Sequence, residues 1–292
     1  MHMTTNLDPT VSTRDGLTLQ RRRWPVDRAR GTVLLVHGIA EHSGRYEHVA
    51  RHLNALGWWV ESYDQRGHGL SQGERGRLVQ DDDLLHDLDA VVRVVRHEQP
   101  DAPFVLMGHS LGGLVVSTYV AGFHGRPPSP AVDLVDALVV VSPPYKVAPS
   151  LFQHLLLQTL VRWVPDMCVS TRFDPRAISR DPAVVQAYQD DPLVHDRISG
   201  RLARFIVEGG AQVLARAPQW RMPTLLLYAG ADRIVSPQGS AQFARSAPPE
   251  LVRARVFSHM AHEVLNEPDQ AKALDELRLW LDAQLPRKLA AA

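Results

Sequence analysis

Continuous apolar runs of five or six residues recur along this chain and predict buried β-strands. One run covers residues 32–37 and ends at His37-Gly38, which predicts a strand that leads directly into a loop. A continuous run, unlike an alternating one, is typical of a strand that is covered on both faces of its sheet. The pattern predicts strands over residues 32–37, 58–64, 104–108, 137–142, 224–229 and 253–257.

Amphipathic helical patterns lie between these runs. Residues 81–98 have acids at the start and bases near the end, which complements the dipole of a helix. A closing helix is predicted over residues 268–285. Strands separated by helices predict a doubly wound, mostly parallel α/β sheet, whose ligands bind outside the carboxyl ends of its strands. The apolar stripe of the first helix consists of Leu84, Leu85, Leu88, Val91, Val92 and Val95.

The interval between residues 142 and 224 interrupts this alternation, because it contains no clear strand. A structureless loop of that length is not expected in a compact domain. We therefore expect one domain over residues 1–292, with a helical cap over residues 145–218 inserted within it. The cap would cover the carboxyl edge of the sheet.

Within this interval, residues 151–164 are apolar around most of a helix. Such a helix is either buried on most sides or exposes an apolar patch. In the second case it would form a lid whose exposed apolar face includes Leu156 and Leu157. The polar residues of the segment are Gln153, His154, Gln158, Thr159 and Arg162.

Composition excludes several classes of protein. The formal net charge is zero, with 32 basic and 32 acidic residues, so no nucleic-acid partner is expected. Cys168 is the single cysteine, which rules out a disulfide framework and a cysteine-rich metal site. The chain shows no secretory signal and no apolar stretch of transmembrane length. A cytoplasmic protein is expected, with peripheral membrane contact through the cap as a further possibility.

The segment Gly108-His109-Ser110-Leu111-Gly112 carries the main chemical signal. It follows the predicted strand 104–108 and precedes an apolar helical pattern, which is the strand–turn–helix context of a G-x-S-x-G nucleophile turn. The glycines allow close approach of neighbouring elements, and the helix directs its first N–H groups at the serine. Ser110 is therefore the predicted nucleophile, and it needs a base and an oxyanion site.

An acid and then a histidine are expected downstream of such a serine. Asp232 follows the predicted strand 224–229 and is the only acid between residues 224 and 249. His259 and His262 both follow the next strand. We favour His262, because the segment after it leads into the last helix and would hold an imidazole still. His262 would take the proton from Ser110, and Asp232 would fix the imidazole tautomer.

An oxyanion hole requires one N–H from the residue after the nucleophile, which is Leu111, and one from the loop after an early strand. The segment His37-Gly38-Ile39 fits the second requirement. Gly38 lets the chain double back, so the Ile39 N–H can face a carbonyl oxygen. A simple turn after the strand is the alternative interpretation.

Four segments together resemble the monoacylglycerol lipases and related lysophospholipases of the α/β-hydrolase fold. Residues 37–46, HGIAEHSGRY, look like the oxyanion-loop motif of that family, and residues 64–71, DQRGHGLS, look like its strand-end signature. Residues 108–113 are similar to its nucleophile turn. The segments around Asp232 and His262 resemble its acid and base segments, and the similarity extends from about residue 15 to residue 285.

The resemblance implies an α/β-hydrolase fold with a helical cap. It also implies that Glu41 and Arg45 bind the polar head of the substrate, with an internal salt bridge that holds the oxyanion loop as the alternative. The chain departs from the family at Ile39, where a smaller residue is frequent, and at Ala40, where glycine is usual. Leu265 stands where some relatives have a polar residue near the alcohol.

We therefore expect a cofactor-free serine hydrolase that cleaves acyl esters through an acyl-enzyme, with monoacylglycerols as substrates. The alternatives are a lysophospholipase or broad carboxylesterase, an acyltransferase that uses the same acyl-enzyme, and a non-catalytic binding module that retains the pocket. The expected partner is a lipid or another small ester. The lid over residues 151–164 would then line an acyl tunnel and rest on lipid aggregates, with Leu156 and Leu157 in contact with substrate.

Overall fold

The backbone is dominated by one eight-stranded sheet, in the order β1-β2-β4-β3-β5-β6-β9-β10. The structure is a computed structural model that describes residues 7–147, 164–171 and 174–286. Strand β1 pairs antiparallel with β2, and β2 pairs antiparallel with β4, whereas every other pair in this sheet is parallel. The strands of the sheet are Leu7–Ser12 (β1), Thr18–Trp24 (β2), Gly31–Val36 (β3), Trp58–Tyr63 (β4), Phe104–His109 (β5), Ala137–Val141 (β6), Thr224–Ala229 (β9) and Val252–Phe257 (β10).

Helices cover both faces of the sheet. Successive residues of the central strands point to opposite faces, so Leu34 and Leu106 join one apolar cluster while Val33 and Val105 join another. The described helices are Glu47–Ala55 (α1), Asp83–Glu98 (α2), Leu111–Ala121 (α3), Pro182–Asp190 (α4), Gly200–Arg216 (α5), Pro237–Ser246 (α6) and Gln270–Gln284 (α7). Apolar side chains of α2, α3, α5 and α6 belong to the first cluster, and those of α1 and α7 belong to the second.

This arrangement confirms the predicted α/β-hydrolase fold. Each of the six predicted strands is present, and all six deviate by one residue or less at either end. The pattern missed the N-terminal hairpin of β1 and β2, although Asp15-Gly16 at its turn is a hairpin signal and Gly16 has φ +85°. The hairpin extends the sheet beyond β4 on the side away from the nucleophile turn.

The segment between β6 and β9, which we call the cap segment, differs in one respect from the helical interval that the sequence predicts. Besides α4 and α5 it contains two short antiparallel strands, Cys168–Ser170 (β7) and Arg197–Ser199 (β8). Ser199 is the last residue of β8, and its N–H donates to the Gly76 carbonyl at 2.9 Å. A hydrogen bond therefore joins this small sheet to the loop after β4. Strands of three residues leave too weak a pattern to be recognised in a sequence.

Of the predicted lid over residues 151–164, only Val164 belongs to the described residues. The alternatives of a buried helix and a lipid-contacting lid therefore both stay predictions, as do the cap boundaries at residues 145–218. Among the described residues, no helix combines the length and the apolar character needed to cross a membrane.

Candidate active site

The predicted nucleophile lies at the turn between β5 and α3. Ser110 has φ +50° and ψ −120°, a conformation that costs free energy for a residue with a side chain. Two glycines make the turn possible. A Cβ at Gly108 would lie 2.3 Å from the Gly112 carbonyl oxygen, and one at Gly112 would lie 2.1 Å from the Val36 carbonyl oxygen. The strained backbone is thus held between a strand and a helix that only glycine lets come so close.

The structure brings the three predicted residues together. The Nε2 atom of His262 lies 2.8 Å from the Ser110 hydroxyl oxygen, and its Nδ1 atom lies 2.7 Å from Oδ2 of Asp232. The other oxygen of Asp232 accepts the backbone N–H groups of Ile234 and Val235 at 2.8 and 3.0 Å. These bonds orient the carboxylate, which in turn orients the imidazole ring.

The competing histidine lies elsewhere. His259 is exposed, and it lines a separate groove beside β10 and α7. His262 is buried on a tight turn, where its own carbonyl accepts the Val264 N–H at 3.2 Å. The short segment that follows His262 in the sequence therefore forms an ordered turn, while the ring itself is bonded to Asp232 and Ser110.

The electrostatic environment of His262 favours its protonated form. Burial opposes protonation, but the Asp232 carboxylate, by its charge and its hydrogen bond, raises the pKa of His262 above the ordinary value of 6.5. Burial likewise opposes the charge on Asp232, while His262 and the two backbone N–H groups lower the pKa of that carboxyl. Asp232 thus stays ionised and is able to stabilise an imidazolium.

The two residues that carry the predicted oxyanion donors line the same cavity. The N–H groups of Ile39 and Leu111 have no hydrogen-bond partner within residues 7–147, 164–171 and 174–286, and both residues line the cavity beside Ser110. Leu111 is the first residue of α3, where an N–H lacks an intrahelical partner. Ala40, next to Ile39, is buried at φ +64°, so this alanine occupies the backbone conformation that favours glycine.

Glu41 and Arg45 form a buried ion pair under this loop. The Arg45 guanidinium lies 2.6 Å from one oxygen of Glu41 and makes two bonds to Glu263, at 2.7 and 2.9 Å. The second oxygen of Glu41 accepts the Gly38 N–H and the Tyr46 hydroxyl, each at 2.6 Å. The internal salt bridge considered from the sequence is therefore present.

The cavity beside Ser110 has a volume of about 180 Å³. Glu41 and Glu263 also line it, so one part of the wall is acidic while most of the lining is apolar. Leu156 and Leu157, the predicted substrate contacts of the lid, lie outside the described residues. Apolar lining residues from the sheet side and from the cap segment are Ile39, Val147, Ile178, Ile198, Ile206 and Ile234.

Sequence reasoning missed three residues of this site. Glu263 follows His262 directly, and its bonds to Arg45 are made across 218 residues of sequence. Tyr46 and Tyr188 reach the same network, and Arg45 lies 4.8 Å from the centre of the Tyr188 ring. Tyr46 ends the resembling segment HGIAEHSGRY, which was the available signal for it. Among the described residues, no cluster of three or more His, Cys, Asp or Glu side chains has a geometry suited to a metal ion.

The fold and the contacts of Ser110, His262 and Asp232 define an α/β-hydrolase of the serine type. Residues 27–269 match the family described as "Serine aminopeptidase, S33", and the chain belongs to that family. It is 34% identical over 259 residues to a monoacylglycerol lipase of Mycolicibacterium smegmatis, a match that covers 88% of this chain and 89% of the relative. A monoglyceride lipase of Rattus norvegicus is 27% identical over 282 residues, with 95% and 91% covered.

Solved structures agree with this assignment. The crystal structure of Paleococcus ferrophilus monoacylglycerol lipase superposes with a TM-score of 0.80 at 32% identity, covering 91% of this chain and 99% of that one. A soluble variant of Saccharomyces cerevisiae monoglyceride lipase, in complex with a substrate analogue, has a TM-score of 0.85 at 21% identity with 97% of each chain covered, which speaks for the fold alone. The protein is thus a serine hydrolase of the monoacylglycerol lipase type, an enzyme that acts on esters.

Proposed function

We propose that this enzyme hydrolyses monoacylglycerols to glycerol and a fatty acid through an acyl-enzyme on Ser110. The observation that carries the proposal is the chain of contacts from Ser110 to His262 to Asp232, at 2.8 and 2.7 Å, beside a mostly apolar cavity. A hydroxyl is a weak nucleophile until a base removes its proton, and His262 is within reach to do so. The names of the relatives favour a monoacylglycerol over other esters.

The first half-reaction forms the acyl-enzyme. The Ser110 oxygen attacks the ester carbonyl carbon while its proton passes to Nε2 of His262, and the carbonyl oxygen becomes an oxyanion. The N–H groups of Ile39 and Leu111 receive that oxyanion. When the tetrahedral intermediate collapses, the carbon–oxygen bond to glycerol breaks, and the imidazolium of His262 returns the proton to the departing glycerol oxygen.

The second half-reaction restores the enzyme. His262, neutral again, takes a proton from a water molecule whose oxygen attacks the acyl carbon. The second tetrahedral intermediate collapses, the bond to the Ser110 oxygen breaks, and His262 returns the proton to Ser110. The fatty acid leaves, so one water is consumed for each ester cleaved. Asp232 keeps the same imidazole tautomer through both halves and stabilises the transient positive charge.

The proposed orientation of the substrate follows from the apolar and acidic residues that line the cavity beside Ser110. Burial of an acyl chain against apolar surface is favourable by roughly 25 cal/mol per Å² removed from water, so the acyl chain would lie against apolar lining residues such as Ile198 and Ile206. The glycerol hydroxyls then face the acidic part, where Glu41 and Glu263 lie with Arg45 bonded to both. If the lid helix exists, Leu156 and Leu157 would extend the apolar part.

A substrate panel tests the proposal. Purified enzyme and the Ser110→Ala variant are assayed on mono-, di- and triacylglycerols, lysophospholipids and short soluble esters, together with an aminoacyl anilide. The expected result is the highest kcat/KM on a monoacylglycerol, with a loss of about 10⁴-fold or more in kcat for Ser110→Ala. Parent-like hydrolysis by Ser110→Ala would overturn the mechanism. A higher kcat/KM on a lysophospholipid or on the anilide would overturn the substrate assignment.

Two further measurements separate the remaining alternatives. A fluorophosphonate probe should label the parent enzyme and leave Ser110→Ala unlabelled, whereas a binding module without catalysis would stay unlabelled in both forms. Added alcohol distinguishes hydrolysis from acyl transfer. A hydrolase releases mainly free fatty acid at moderate alcohol concentration, and a transferase releases mainly the new ester.

A further inference from the structure

The cap segment contacts the oxyanion loop at its most strained residue. Ala40 has φ +64°, and its carbonyl accepts the backbone N–H of His195 at 3.3 Å. The Tyr188 hydroxyl donates to the same carbonyl at 3.5 Å. A non-glycine residue keeps a left-handed conformation only where its surroundings hold it. Both of these donors to Ala40 come from the cap segment.

His195 also touches the core through its ring. The ring centres of His195 and His68 are 4.6 Å apart, and those of His68 and His37 are 5.3 Å apart. We call these three side chains the histidine row. His37 directly follows β3 and begins the oxyanion loop, where its Nδ1 atom donates to the Gly38 carbonyl at 2.7 Å. The row thus connects the cap segment to the loop residue that precedes Ile39.

Hydrogen bonds fix the tautomers along the row. His37 Nε2 accepts the Gln65 N–H at 2.9 Å, and His68 Nδ1 donates to the Arg66 carbonyl at 2.9 Å. In the cap segment, His195 Nδ1 accepts the N–H of Arg197 at 3.1 Å, which closes a turn before β8. Each ring therefore has at least one nitrogen bonded to the backbone, so the rings are fixed in orientation as well as in position.

The row is uncharged near neutral pH. Burial, together with the positive charge of Arg75 and the neighbouring His37, lowers the pKa of His195 to about 4, although Asp196 acts in the opposite direction. Burial, with His37 and His195 beside it, lowers the pKa of His68 well below its ordinary range. Burial also lowers the pKa of His37, against the charges of Asp64 and Glu41. Three neutral rings pack without mutual repulsion.

We propose that His195 is a positioning residue of this enzyme. Its backbone N–H, bonded to the Ala40 carbonyl, and its ring, packed against His68, hold the oxyanion loop so that the Ile39 N–H faces the reacting carbonyl. This inference rests on the proposed function, because it assumes that Ile39 is an oxyanion donor. Its consequence is that catalysis requires the part of the cap segment around His195 to pack against the oxyanion loop. A cap displaced at His195 leaves Ser110 and His262 in contact but misdirects the Ile39 donor.

Two substitutions separate the ring of His195 from its role in the turn. In His195→Asn, the side-chain oxygen can still accept the Arg197 N–H as in an Asx turn, but the ring is lost. In His195→Phe, the ring packing against His68 is kept and the turn acceptor is lost. His124→Asn is the matched control, since His124 also carries a ring contact, with Phe123 at 3.9 Å, and lies outside the cavity lining.

The readout is the split between kcat and KM on a short soluble ester. A donor displaced by a fraction of an ångström lowers kcat by roughly 10-fold or more, while the binding of a small substrate changes little. We expect this loss in His195→Asn, with KM within about twofold of the parent and kcat largely restored in His195→Phe. The His124→Asn control should keep the parent kcat. Thermal unfolding of each variant confirms that it is folded under the assay conditions.

The possible outcomes are distinct. A folded His195→Asn with parent kcat overturns the positioning role, and so does an equal loss of kcat in His195→Asn and His195→Phe. If Ser110→Ala is inactive in the same assay, such a result leaves the proposed function intact. If Ser110→Ala retains activity, the proposed function itself fails. A loss that appears only in KM assigns His195 to the acyl pocket and also contradicts the inference.

Discussion

The carboxylate of Glu41 accepts the N–H of Gly38 at 2.6 Å and thereby closes the tight loop between them. There is no room for a larger residue at Gly38, because a Cβ there would lie 2.6 Å from that same carboxylate oxygen. Burial opposes the charge of Glu41, but the Arg45 guanidinium, together with the hydrogen bond from His109, holds the pKa of Glu41 well below its usual range. Glu41 is therefore an ionised acceptor that fixes the loop on which Ile39 lies.

This contact predicts different effects for two substitutions of Glu41. Glu41→Gln keeps an oxygen that can accept the Gly38 N–H, so we expect a loss of only a few-fold in kcat. Glu41→Ala removes the acceptor and leaves one bond of Arg45 unmade, so we expect a loss of about 10- to 100-fold, because misplaced donors are costly in the transition state. Steady-state kinetics on a soluble ester measure both. Equal effects of the two variants would show that charge, and not the loop contact, is what matters.

The proposed role of Asp232 as the acid that orients His262 is tested by Asp232→Asn. The amide would still occupy the space but would favour the wrong imidazole tautomer and could not stabilise the imidazolium. We expect kcat to fall by about 10³- to 10⁴-fold with KM nearly unchanged. Asp174→Asn, which alters a half-buried acid paired with Arg233 at 3.4 Å, serves as the control. A loss of only a few-fold in Asp232→Asn would mean that another carboxylate orients His262.

The pH dependence of activity follows from the raised pKa of His262. The base works only when neutral, so kcat/KM should rise with pH through an apparent pKa above 6.5. Protonated His262 stabilises the fold, and that contribution is complete below about pH 6.5 and is lost as pH rises through the folded pKa. Activity and this part of the stability thus change in opposite directions. A profile of kcat/KM at constant ionic strength checks the midpoint, and a midpoint below 6.5 would contradict the geometry.

Two adjacent glycines of α5 allow a matched test of how the cap helix packs. A Cβ at Gly209 would lie 3.2 Å from the Thr118 hydroxyl, whereas one at Gly210 would lie 2.8 Å from the backbone oxygens of both Pro144 and Tyr145. Each substitution by alanine gains about 1 kcal/mol of helix propensity. We expect Gly209→Ala to be close to neutral.

In contrast, Gly210→Ala should lower the free energy of unfolding by about 1–3 kcal/mol. The carbonyl groups of Pro144 and Tyr145 belong to the backbone that follows β6, so they can move away only if that backbone moves too. Because Pro144 lines the cavity, KM for a long-chain ester should also rise in this variant. Chemical denaturation and kinetics on the long-chain ester measure the two effects. Equal stability of the two variants would show that α5 is free to shift.

Much of the framework could be predicted because its signals are local. The buried strands are continuous apolar runs, and the turn at Ser110 is marked by glycines on both sides, so the sequence alone indicates both. Asp232 was predictable because it is the only acid between residues 224 and 249. The choice of His262 over His259 rested on how each would be held, and the ring of His262 does lie against Ser110.

The remainder depends on contacts between distant parts of the chain. Nothing near Glu41 in the sequence indicates that Arg45 also binds Glu263, because that bond forms only when the oxyanion loop meets the turn after β10. The same applies to His195 and His68, which belong to the cap segment and to the loop after β4. Strands β7 and β8 are too short to leave a periodic pattern. Such features arise from the tertiary arrangement and carry no local signature.

The position of the site in the chain also bears on its biosynthesis. The contact between Ser110 and His262 joins residues 152 positions apart, and His262 follows β10, the outermost parallel strand. Closing so long a loop is unfavourable until the intervening strands have paired. A nascent chain that has emerged from the ribosome only as far as β9 therefore contains Ser110 but not yet His262. We expect such a chain to react with an active-site probe only after β10 has joined the sheet.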